Sequence, residues 1–229
     1  AFIDIHMPTE PNGMSVIICP GGGYGNVVAG PEGNRIAVWL REHGITGVVL
    51  HYRLPRGRHH IPLSDAQAAY TYMREHASGL KLDAKRIGVM GFSAGGHLAS
   101  TLATHATTDK TRPAFAVLIY PVITMQQHTH AGSKRNLLGA NPTEDLIKQF
   151  SNELRVSPDT PPTFLAHAVD DKPVPPINSQ LFHQACNKHD VPSVYLELPD
   201  GGHGLNGYQG ASWDKWQSES IKWMLGLFP

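Results

Sequence analysis

Gly91-Phe92-Ser93-Ala94-Gly95 is the stretch that most narrows what this chain can fold into. It reads G-x-S-x-G and lies between two segments of opposite character. Before it, Arg86-Ile87-Gly88-Val89-Met90 is short, apolar and β-prone, as a strand buried in a parallel sheet should be. After it, residues 96–103 are rich in small side chains, with apolar positions at helical spacing. Strand, sharp turn and helix form the context in which G-x-S-x-G becomes a nucleophile elbow. The serine of such an elbow sits in a strained turn, and the glycines on either side are needed where a Cβ would clash.

The remaining chain alternates strands and helices. Residues 2–6 alternate apolar and polar, as in a half-exposed strand, and Ser15–Cys19 is a fully apolar strand broken by Pro20-Gly21-Gly22-Gly23-Tyr24. A helix is expected over about 33–43, a buried strand over 47–52, then a basic loop holding Arg53, Arg56 and Arg58. Ser64-Asp65 is expected to cap a helix running to about residue 76, with Ala66, Ala69, Tyr70 and Met73 on one face. Further strands are expected over 114–120, 163–167 and 194–198, with helices over about 177–189 and 212–225. Residues 121–162 form the longest stretch without a strand and hold one expected helix, 143–150, so they read as a small polar, lid-like insertion after the sixth strand.

Strands that are apolar on both faces and alternate with helices imply an α/β architecture, a mostly parallel doubly wound sheet covered on both sides. No repeat, linker or low-complexity tract interrupts it, so residues 1–229 are expected to be a single domain.

Lys plus Arg and Asp plus Glu both number 19, which gives no electrostatic grip on nucleic acid or an anionic membrane. No apolar run approaches the roughly 20 residues of a membrane-spanning helix. The start lacks an initiator Met and a signal peptide and reads as a strand entered partway, so the chain is expected to be trimmed or mature. Cys19 at a strand end and Cys186 on a helix are expected to be buried free thiols. His59-His60 and His128-x-His130 invite a metal reading, but no carboxylate or cysteine stands at ligand spacing, so neither metal nor cofactor is expected.

A serine hydroxyl is a poor nucleophile until a base takes its proton. In doubly wound sheets functional groups gather at the carboxyl ends of strands, so the acid and base are sought after later strands, in the order Ser, Asp, His. Residues 168–175 follow one such strand and offer two adjacent carboxylates, Asp170 and Asp171. After the strand ending at Leu198 comes Pro199-Asp200-Gly201-Gly202-His203-Gly204, where His203 is placed as a general base between the last strand and last helix. His97 and His167 precede the acid, and His183 and His189 lie within a helix. A tetrahedral intermediate needs backbone donors for its oxyanion. The glycines after Pro20 and the amide of Ala94 supply them; no Gly-Lys-Ser/Thr follows to make the glycine loop a phosphate cradle.

With serine, acid, histidine and glycine loop in this order, nearly the whole chain resembles an α/β-hydrolase-fold serine esterase. It is most similar to the branch with a P-G-G-G-Y oxyanion motif, a G-x-S-A-G-G-H elbow, an H-x-x-D-D-x-x-V-P acid loop and a G-G-H-G histidine loop. These stand here as residues 20–24, 91–97, 167–175 and 201–204. The resemblance implies that Asp171 is the acid partner of Ser93 and His203, and that the amides of Gly22, Gly23 and Ala94 form the oxyanion hole. It further implies removal of small acyl groups from plant polysaccharides, foremost acetyl groups from xylan, with a secreted or periplasmic home; feruloyl ester cleavage is the alternative within the branch. The first strands of the full fold are missing here, and Lys172-Pro173 interrupts an acid loop that is often more apolar.

Tyr24, Asn26, Tyr120 and residues 121–140 are the candidates for shaping the substrate pocket. No long apolar lid is visible, which argues against a lipase and for a small-molecule or polysaccharide ester as the partner. The oligomeric state is not readable. From a different class, a non-catalytic binding member of the fold usually lacks a triad residue, and all three are present.

Overall fold

Five strands of this protein are buried along their whole length or nearly so, and that burial dictates the layered architecture of the computed structural model. It describes residues 1–228 apart from Thr107 and Asp109. Seven strands, β1 (Phe2–His6), β2 (Ser15–Cys19), β3 (Thr46–His51), β4 (Ile87–Phe92), β5 (Ala116–Ile119), β6 (Thr163–Ala168) and β7 (Ser193–Leu198), form one sheet. Their order is β1-β3-β2-β4-β5-β6-β7, with β1 antiparallel to β3 and every other pair parallel.

Alternate residues of each strand face opposite sides. Ile17, Val48, Val89 and Leu118 point into one apolar core, under α2 (His60–Glu75), α3 (Ala94–Thr104) and α6 (Ile177–Lys188). Val16, Ile18, Val49, Met90 and Val117 point into the other, covered by α1 (Arg35–Glu42) and the C-terminal helix Ala211–Gly226, whose Trp213 and Trp216 pack on Phe92. Both faces being covered is what makes the central strands apolar throughout.

The chain crosses from β2 to β3 on one side of the sheet, then from β4 to β5 on the other. β2 and β4 are therefore neighbours whose crossovers depart in opposite directions, which opens a crevice at their carboxyl ends. The glycine loop after Cys19 and the serine after Phe92 meet there.

Three expectations need correction. The insertion follows β5, the fifth strand of this chain and not a sixth, because β1–β5 are the strands that precede it. It carries two helices rather than one: α5 (Glu144–Gln149), capped by the Thr143 hydroxyl, and α4 (Ala131–Leu138). The cap of α4 is a histidine, His130, whose ring accepts the Ser133 N–H, a residue type outside the usual capping set. The helix expected to start at Ser64 begins at His60, so Ser64 donates back to the His60 carbonyl, and Asp65 binds the backbone N–H and guanidinium of Arg53 instead of capping. Cys19 and Cys186 are buried and unpaired. Among the described residues no helix is long and apolar enough to cross a membrane.

Candidate active site

Ser93 lies between the end of β4 and the first turn of α3, with φ 52° and ψ −119°, a conformation that a non-glycine residue adopts only under constraint. The neighbouring strand supplies the constraint. A Cβ on Gly95 would collide with the backbone carbonyls of Cys19 and Pro20, so only glycine lets α3 start this close to β2. Ser93 is 6 % exposed, with its Oγ at the floor of the crevice.

His203 Nε2 stands 2.8 Å from Ser93 Oγ, and its Nδ1 stands 2.7 Å from Asp171 Oδ2. An ionised carboxylate only accepts, so Nδ1 carries the ring proton and Nε2 is left to accept from the serine hydroxyl. Asp171, at the end of β6, has no exposed side-chain surface. Burial pushes its carboxyl up, but hydrogen bonds from His167 and His203, the His203 charge and the Val174 N–H outweigh it and hold the carboxyl at about 2. His167 Nε2 lies 2.9 Å from the Val174 carbonyl and 3.2 Å from Asp171 Oδ2, and its Nδ1 accepts from the Ser179 hydroxyl. That histidine orients the acid and has no reach to Ser93.

The adjacent aspartates divide the work. Asp170 is exposed and accepts the Gly202 N–H at 2.8 Å, tethering the histidine loop to the acid loop. Asp200 accepts from Ser212 at the start of the C-terminal helix.

Gly22 has φ 120°, and a Cβ there would strike the Asn26 carbonyl. Gly23 has φ 62°, and Asn136 Nδ2 donates to its carbonyl. Among the described residues the amides of Gly22 and Gly23 have no acceptor, and the Ala94 amide opens α3, where no i−4 carbonyl exists. Gly22, Gly23, Ser93 and His203 line one cleft of about 390 Å³.

Tyr24, Asn26 and Tyr120, expected at the substrate pocket, do not line it. Tyr24 is buried and binds His97 Nδ1 through its hydroxyl, Asn26 is an exposed turn residue, and Tyr120 is buried with its ring 5.0 Å from that of His203. Val28, Glu32, His130, Gly132, Asn136, Pro173 and Tyr208 stand on the cleft wall instead. His130 and Asn136 belong to the insertion already suspected of shaping the pocket. Glu32 and Tyr208 gave no motif to find them by.

A family model described as BD-FAE matches residues 3–186. The chain is 37 % identical to endo-1,4-beta-xylanase B of Butyrivibrio fibrisolvens over 83 % of its length and 32 % of that protein. It is 34 % identical to an acetylxylan esterase of Xylanibacter ruminicola over 94 % of its length and 45 % of that protein. The chain thus spans less than half the length of either relative. Among solved structures, the acetyl ester-xyloside bifunctional hydrolase of Caldicellulosiruptor lactoaceticus superposes with TM-score 0.92 at 38 % identity, covering 98 % of this chain and 87 % of that one. The carboxylesterase Cest-2923 of Lactobacillus plantarum superposes with TM-score 0.85 at 26 % identity, covering 99 % and 94 %.

Proposed function

The chain belongs to the BD-FAE family and has the α/β-hydrolase fold, and from that premise we propose that it is a serine carboxylic ester hydrolase removing small acyl groups, foremost acetyl, from xylan or related plant polysaccharides. The observation that carries the reading is the continuous hydrogen-bonded chain Ser93–His203–Asp171, opening from a strained serine into a cleft lined by unpaired glycine amides.

In this mechanism Ser93 Oγ attacks the ester carbonyl while His203 Nε2 takes its proton. Asp171 holds the ring with Nδ1–H inward and stabilises the imidazolium that forms. The amides of Gly22, Gly23 and Ala94 receive the oxyanion, each such donor being worth about 3–4 kcal/mol in comparable sites. His203 then protonates the departing alcohol oxygen, the acyl group stays on Ser93, and water activated by the same histidine releases it as the acid.

The lining supports the substrate class. Gly22, Gly23, Val28 and Gly132 line the cleft with small side chains that suit a short acyl group, while His130, Asn136 and Tyr208 add polar groups suited to a sugar alcohol. Polysaccharides of that size do not enter cells, so a secreted or periplasmic enzyme is part of the proposal.

The test is one panel run on wild type and Ser93→Ala: p-nitrophenyl acetate, butyrate and octanoate, acetylated xylan and methyl ferulate. Acetate release from xylan, a steep loss beyond butyrate and a drop of about 10⁶ in kcat for Ser93→Ala are expected. Turnover retained by Ser93→Ala, or a wild-type serine that a fluorophosphonate does not label, would refute the assignment. Cleavage of ferulate in preference to acetate would refute the acetyl specificity and leave the serine chemistry standing.

A further inference from the structure

Glu32 is a carboxylate only 3 % exposed, on the cleft wall, that the mechanism above leaves unused. It sits in a short π-helical turn, Gly30–Asn34, that runs into α1. Two groups donate to it: the Gly21 N–H to Oε2 at 2.6 Å and the Tyr120 hydroxyl to Oε1 at 3.0 Å. These donors come from separate segments, one carrying the oxyanion glycines and one carrying the ring packed on His203. Tyr208, from the turn that follows His203, lines the same cleft wall.

That last turn is strained. Gly204, Leu205, Asn206, Gly207 and Tyr208 have φ of 85°, 48°, 57°, 67° and 68°, a left-handed helical turn closed by Tyr208 N–H to the Gly204 carbonyl. L-residues disfavour this conformation, so the turn persists only where its surroundings hold it. Tyr208 closes it on the cleft wall that Glu32 also lines.

We propose that Glu32 is a positioning residue for ester hydrolysis: its carboxyl ties the Gly21–Gly23 loop to Tyr120, and through the Tyr120 ring to His203, in one register. This rests on the serine-hydrolase reading above.

The surroundings support it. Asp171 and the Tyr120 ring hold His203 from two sides, and the Gly21 N–H and the Tyr120 hydroxyl hold the two carboxyl oxygens of Glu32. Burial outweighs the hydrogen bonds and the His203 charge and raises the Glu32 carboxyl above its ordinary value.

The experiment compares wild type, Ser93→Ala, E32Q and Y120F on p-nitrophenyl acetate, reading kcat, KM and the melting temperature. For folded E32Q, kcat falls about tenfold or more, within the roughly 10²-fold that a misplacement of about 1 Å costs. Its KM stays within about twofold. Y120F, which removes one donor to Glu32 and keeps the ring beside His203, lowers kcat by a smaller factor, again with KM little changed. Unchanged kcat in E32Q, or a KM that changes as much as kcat, overturns the proposal. Should E32Q not fold, wild-type kcat in Y120F overturns it. Wild-type turnover that survives Ser93→Ala overturns the hydrolase reading instead.

Discussion

Replacing Asp171 by asparagine keeps the shape of the acid and changes what it can accept. Oδ2 takes both His203 Nδ1–H at 2.7 Å and His167 Nε2–H at 3.2 Å, and Oδ1 takes the Val174 N–H at 3.0 Å. An asparagine offers one oxygen and one NH₂, so one of these positions meets a donor. With the NH₂ toward the histidines, His203 must accept at Nδ1 and hold its proton at Nε2, where it cannot take the serine's; comparable triads lose about 10⁴ in kcat this way. With the NH₂ toward Val174, two N–H groups confront each other at about 1–3 kcal/mol, and the charge that stabilises the imidazolium is absent in either case. The expected result is a kcat lower by roughly 10³–10⁴ with KM little changed.

The same substitution has a stability signature. The Asp171 carboxyl stands at about 2 in the folded protein against an ordinary 3.8, a difference of roughly 1.8 units or about 2.5 kcal/mol. Because the folded value is the lower one, this stabilisation is present above the unfolded value and lost as pH falls through the folded one. Asp171→Asn is therefore less stable than wild type by about 2.5 kcal/mol at pH 7, with about half of that gap gone by pH 3 and most of it by pH 2. Urea unfolding of both proteins at pH 7 and pH 3 reads the gap, and p-nitrophenyl acetate kinetics read kcat. A kcat within tenfold of wild type, or a stability gap that does not change with pH, would refute the reasoning.

Gly22→Ala forces a Cβ onto the Asn26 carbonyl at φ 120° and displaces an oxyanion amide; steady-state kinetics are expected to show kcat down by about 10²–10³ while fluorophosphonate still labels Ser93, more slowly. Burial pushes both cysteine thiols up to about 12, so a thiol-selective disulfide reagent should titrate neither in the native protein and both after unfolding. Rapid native labelling of either would contradict the burial of both in the apolar core that also holds Tyr24 and Tyr52.

The elements read from the chain were those whose signal is local. Val16–Cys19 is apolar and every residue of Ser15–Cys19 is buried, and both the strand and its bounds match, because burial on two faces leaves a continuous apolar run between Ser15 and Pro20. Ser64-Asp65 resembles a cap and so points to a helix start four residues beyond the actual one at His60, while the pairing that occupies Asp65 is with Arg53, twelve residues away. α4 passed unseen because its cap is a histidine and its only buried residues are Ser133, Leu137 and Leu138.

For the site, chain order and glycine spacing pick out Ser93, His203 and the pair Asp170-Asp171, and the resemblance to the esterase branch selects Asp171, the carboxylate that the structure sets against His203 Nδ1. The wall of the cleft was not readable that way. Tyr24, Asn26 and Tyr120 are close to the motifs in sequence but turn into the core or solvent, whereas Glu32, His130, Asn136 and Tyr208 come from four turns and helices that only the sheet order brings together. A motif records what the backbone needs at one point, and that is set by nearest neighbours. A cleft wall is set by which distant segments the crossovers deliver to the β2–β4 switch point, and Glu32 joins two of them through contacts 11 and 88 residues apart that no local pattern encodes.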